Sequence, residues 1–136
     1  MTQTATGTFD VKMTPQPATP DHEASQIGRL ALSKRFHGDL EGTSLGEMLA
    51  FRTAVAGSAG YVAMERVEGK LAGREGSFVL MHTGEMNRGQ PSLVVQVVPD
   101  SGTGGLQGLS GRLSIDVREG THFYELVYEL SSPSTV

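Results

Sequence analysis

Polar and apolar side chains alternate at period two along most of this chain. In residues 4–14, Phe9, Val11 and Met13 share one side, and Thr8, Asp10 and Lys12 the other. From Gly28 to His37, Leu30, Leu32 and Phe36 share a face with Lys34, while Arg29, Ser33, Arg35 and His37 take the opposite one. Residues 60–72 set Tyr61, Ala63, Glu65 and Val67 against Val62, Met64 and Arg66. Residues 76–87 set Phe78, Leu80, His82 and Met86 against Val79, Met81, Thr83 and Glu85. Residues 92–98 are almost wholly apolar, interrupted by Gln96, and the alternation returns in 106–117 and in 121–130. Such a period predicts strands. Large apolar residues on both faces of 60–72 and 76–87 fit a barrel wall filled inside and covered outside.

One stretch reads two ways. Between Gly38 and Thr53, Ser44 and Glu47 stand at capping-box spacing, and Leu45, Met48, Leu49 and Arg52 recur at helical intervals. Gly38, Gly42 and Gly46 oppose a helix, because an interior glycine costs it roughly 1 kcal/mol each. The segment is therefore expected to be a long, bent strand. Residues 15–25, with three prolines and no apolar period, are expected to form an exposed connection, and residues 131–136 a disordered tail. Glu119-Gly120 has the composition of a hairpin turn. The count is about eight strands and no confident helix. Eight is also the smallest closed antiparallel barrel able to hold one small ligand.

Composition agrees. The chain has 136 residues, enough for one domain (1–136), and its 18 glycines are about twice the usual share of roughly 7%. Sixteen of them lie between Gly38 and Gly120, where barrel strands must turn or bend. The net charge is −4 with no block of like charge, so neither a nucleic-acid footprint nor a polybasic membrane patch is expected. With no cysteine, a thiolate metal site, a disulfide scaffold and a cysteine nucleophile are excluded. The histidines at 22, 37, 82 and 122 make no ligand pair at strand spacing, so no metal is expected. No apolar run approaches the ~18 residues of a membrane span, and no targeting segment opens the chain, so a cytoplasmic protein is expected. The loop PDSGTGG at 99–105 lacks the Lys-Ser/Thr of a Walker loop and leads into a strand, so it is not a phosphate cradle.

The runs FHGDLEGTSLGEML, GSAGYVAMERVEGKLAGREGSFVLMHTGEM and VVPDSGTGGLQGLSG resemble a bacterial family of uncharacterised small proteins with the allene oxide cyclase-like barrel. The likeness covers roughly residues 2–130. More distantly, GTGGLQGLSG is similar to the glycine-rich turn of plant allene oxide cyclases and dirigent proteins. The resemblance implies an all-β fold, an eight-stranded antiparallel closed β-barrel, with an apolar cavity and frequent homo-oligomers. It implies no settled activity. The plant enzymes cyclise a fatty-acid epoxide without metal or organic cofactor, and none of their catalytic residues aligns with this chain.

A barrel of this kind would enclose a small apolar or amphipathic molecule and offer it a few polar groups. If residues 53–58 close a hairpin centred near Ala56, Glu47 lies opposite Glu65. Two carboxylates facing each other in an apolar cavity cannot both ionise easily, and one would act as general acid or base. Turned outward, they are surface glutamates with Arg52 and Arg66 as available partners. His82, on an apolar face, is a satisfied core residue or a catalyst. Tyr61 and Tyr124 would orient a ligand through their hydroxyls or pack at the rim, with Tyr128 alongside. Gln96 requires a partner if buried and is a cavity candidate. Three functions compete: a cofactor-free isomerase or cyclase, a lipocalin-like binder, and a structural oligomer with a filled interior.

Overall fold

A computed structural model describes residues 2–131, so the expected tail, Ser131 apart, lies outside the described residues. The strands are β1 (Gln3–Gln16), β2 (Gly28–Gly38), β3 (Leu40–Arg52), β4 (Ala59–Leu71), β5 (Arg74–Asn87), β6 (Gln90–Val97), β7 (Thr103–Gly104), β8 (Leu109–Arg118) and β9 (Thr121–Leu130). The stretch that read as strand or helix is strand β3. The single helical element among the described residues is a three-residue 3-10 turn, Glu23–Ser25, in the otherwise exposed connection after β1. Among the described residues, no helix is long and apolar enough to cross a membrane.

Every pairing is antiparallel. The order β4-β3-β2-β1-β9-β8-β6-β5 closes on itself through β4–β5, giving an eight-stranded barrel with β7 as a two-residue addition to β5. Three of its hairpins turn on Ala72-Gly73, Arg88-Gly89 and Glu119-Gly120, each with φ positive at both residues. That geometry matches the right-handed twist of the flanking strands. The β6–β8 seam is the lightest, held at Val95 with Leu113 and Gln96 with Arg112.

The interior is unequal end to end. One end is plugged by Leu40, Leu71, Phe78, Leu106, Leu126 and Val67, all fully buried. Leu106 comes from the turn between β7 and β8: its backbone N–H reaches Thr103 O and its side chain stoppers the barrel. Tyr124 belongs to this packing and is 2% exposed, and Tyr128 is 3% exposed, so neither sits at a rim. The Tyr124 hydroxyl accepts from Leu40 N (2.9 Å) and lies 3.0 Å from His37 O, an acceptor. It closes the β2–β3 corner, its one proton is committed to backbone carbonyls, and Tyr124 is not among the residues lining the cavity.

Candidate functional site

Above the plug, four polar side chains meet inside the barrel: Lys34 from β2, Ser44 from β3, Glu65 from β4 and His82 from β5, all buried. Each stands at the inward phase of its strand's alternation. Glu65 is the hub. Its Oε1 accepts from Lys34 Nζ (2.8 Å) and lies 2.6 Å from His82 Nε2, and its Oε2 accepts from Ser44 Oγ (2.6 Å). An ionised carboxylate only accepts, so the His82 Nε2 carries the proton toward it. Burial alone would raise the Glu65 carboxyl. The His82 hydrogen bond, the Lys34 charge and hydrogen bond, and the Ser44 hydroxyl outweigh it and bring the carboxyl down from 4.5 to about 2.

Gly46, the β3 partner of Glu65, makes room for this cluster. A Cβ there would collide with Met64 O and stand 2.7 Å from the Glu65 Cβ. The glycine that argued against a helix therefore also lets β3 approach the buried carboxylate.

The cluster forms the floor of a cavity of about 260 Å³. Lys34 and His82 border it from below, and Phe9, Leu32, Met48 and Ile115 are among its apolar walls. Lys34 Nζ stands 4.8 Å from the centre of the Phe9 ring, a cation–π contact, and Phe9 packs on His122, another wall residue, at 5.1 Å between ring centres. Among the described residues, Lys34 makes one hydrogen bond, although an ammonium can donate three. No sealed side-chain polar atom among them lacks a partner. His82 hydrogen-bonds through Nε2 alone, and because no sealed side-chain nitrogen or oxygen among the described residues lacks a partner, its Nδ1 keeps some accessible surface. Tyr61 lines the cavity too. Burial first, and then the charge of Glu65, push its hydroxyl up from 10, so a ligand would meet it as a neutral phenol.

The residues singled out in the sequence divide. Glu65, His82 and Tyr61 come together around the cavity floor. Glu47 does not. The β3–β4 ladder pairs Glu47 with Met64 and Gly46 with Glu65. Glu47 consequently points outward, its side chain 58% exposed and ion-paired to Arg29 at 2.7 Å. No carboxylate pair forms, and the depressed Glu65 carboxyl keeps no proton near neutrality, so the acid role expected of such a pair has no basis here. Gln96 alternates with the buried Val95 and Val97 and is half-buried on the outer face, not in the cavity. Lys34 and Ser44 were the unpredicted members. Lys34 stands between Leu32 and Phe36 on the apolar face of β2, a visible signal for an inward cation, whereas Ser44 read as a helix cap. Among the described residues, no group of three or more His, Cys, Asp or Glu is placed to hold a metal ion.

The family model described as "Protein of unknown function (DUF3224)" matches residues 5–128. A crystal structure of a protein of unknown function from that family, from Shewanella oneidensis MR-1, is similar to this chain at 48% identity and a TM-score of 0.89. The likeness covers 97% of this chain and 100% of that one. No curated protein matches.

Proposed function

Because the chain belongs to DUF3224, a family without an assigned activity, its function has to be read from the barrel itself, and we propose that it binds a small amphipathic molecule inside, polar head down. One observation carries this reading: a buried ammonium and a buried imidazole, each with unspent hydrogen-bonding capacity, border a cavity whose other walls are largely apolar. Lys34 pairs with Glu65 and rests against the Phe9 and Phe36 rings, which leaves two of its three N–H donors for a ligand. The cavity, about 260 Å³, lies just below the usual size of small-molecule pockets, roughly 300–1,000 Å³. It suits a short-tailed ligand and speaks against a solidly filled barrel.

Native mass spectrometry of protein taken gently from cells tests the proposal. A small molecule retained by the wild type and lost in Lys34→Met supports it. A wild type that retains nothing, and binds no short-chain ketone, alcohol or acid by calorimetry, overturns it.

The second reading, a cofactor-free isomerase or cyclase, is favoured by the short Glu65–His82 contact, which orients an imidazole as a general base is oriented. The outer face of β3–β4–β5–β6 supports homo-oligomers. Leu49, Val62, Met64 and Val94 are large, apolar and 45–50% exposed there, and a second copy is the occupant proposed. Light scattering that finds a monomer at all concentrations would overturn that part.

A further inference from the structure

The geometry points to a specific reaction at this floor: a 1,3-proton shift in a small enolisable ketone, with His82 as base and Lys34 holding the oxygen. The inference rests on the cavity being the binding site and adds the substrate class.

The charges on the floor argue for it. Lys34 and Glu65 form an ion pair, so their charges cancel. A permanently anionic head, such as a carboxylate, finds no surplus positive charge there. A neutral carbonyl does fit, because its charge develops only during reaction. When the His82 Nδ1 takes a proton, an imidazolium appears beside Glu65, whose carboxylate already accepts from Nε2 at 2.6 Å. At the same moment the carbonyl oxygen becomes an enolate oxygen facing the Lys34 ammonium. Each new charge meets an opposite one already in place, and the transition state is favoured over the ground state. Glu65 touches neither reacting atom. It is a positioning residue, holding Lys34 and His82 by one oxygen.

The step balances without a co-reactant. For a β,γ-unsaturated ketone, Nδ1 removes a proton from the carbon between the carbonyl and the alkene. The C–H electron pair forms a new C=C bond, and the C=O π pair moves onto oxygen, giving a dienolate hydrogen-bonded to Lys34. The Nδ1 proton then passes to the far alkene carbon, the C=O re-forms, and the double bond ends conjugated. No atom is gained or lost. The largely apolar walls would hold a short alkyl or alkenyl tail against Leu32 and Ile115.

Isomesityl oxide is the probe for turnover, its conversion to mesityl oxide followed by ultraviolet absorbance. Methyl isobutyl ketone, its unreactive saturated counterpart, reports binding by calorimetry. The expected result is binding of the saturated ketone and catalysed conjugation of the unsaturated one. Loss of about a hundredfold or more in rate is expected in His82→Gln and in Lys34→Met, typical of removing a general base or an oxyanion donor. Binding without conjugation by the wild type overturns the proton shift and leaves the binding site standing. Conjugation that survives His82→Gln at the wild-type rate overturns the role of His82. Failure of the wild type to bind either ketone overturns the ketone as substrate, and the binding site falls with it only if nothing is retained from cells and no alcohol or acid binds.

Discussion

Replacing Glu65 with glutamine removes the charge at the centre of the buried cluster, and the structure sets what that should cost. The carboxyl stands at 4.5 ordinarily and about 2 in the folded chain. One pH unit of difference is about 1.4 kcal/mol, so the ionised group contributes on the order of 3 kcal/mol to folding. The folded value is the lower one, so this stability is fully present above about pH 4.5 and is lost as pH falls toward 2. Breaking a buried ion pair by removing one partner costs a similar amount, about 3–5 kcal/mol, because the orphaned Lys34 stays buried. Urea denaturation of wild type and Glu65→Gln at neutral pH and at pH steps below 5 measures both effects. At neutral pH the variant should be about 3 kcal/mol less stable, and the gap should close as the medium is acidified. A companion Lys34→Met/Glu65→Leu double variant, with neither charge, should recover much of the loss. A gap that stays constant with pH would refute the assignment of Glu65 as a depressed, structure-holding carboxylate.

Glu47→Gln is the matched control: it removes an exposed ion pair with Arg29 and should change stability by less than about 1 kcal/mol in the same denaturation assay. Tyr124→Phe leaves the Leu40 N–H without its acceptor in a buried corner, and should lower stability by about 1–3 kcal/mol, read as a drop in Tm. Leu106→Ala unplugs the closed end and should cost about 2–5 kcal/mol by urea denaturation, with the spread set by how far Leu40 and Phe78 collapse into the gap.

The strand faces were legible because alternation is a local signal. Tyr61, Ala63, Glu65 and Val67 share the inward side of β4 as the sequence implies, and so do Phe78, Leu80 and His82 on β5. Strand pairing was less legible. A hairpin centred at Ala56 puts Glu47 opposite Glu65, whereas the observed ladder runs Phe51 with Gly60 and Glu47 with Met64, one residue away. A one-residue slip turns an entire side-chain set to the other face. The turn at 53–58, closed by Thr53 N to Ser58 O and Ser58 N to Val55 O, carries no dipeptide that fixes the register from sequence. The hydroxyl of Ser44 and the amine of Lys34 escaped for another reason. Their partner, Glu65, is far along the chain, and only barrel closure brings β2, β3, β4 and β5 to one point.

Closing the strands into a ring leaves a neighbouring chain little edge to pair with, chiefly the two residues of β7 and the stretch of β6 ahead of its join to β8. The same ring is fastened unevenly. Where β6 meets β8 it is pinned at Val95–Leu113 and Gln96–Arg112, and next to those pins, on the cavity side, stand Leu93 and Ile115. Prising that join apart would sacrifice far fewer backbone hydrogen bonds than parting any of the long ladders. A broad guest therefore has its least costly way in through the flank, between two staves already barely joined.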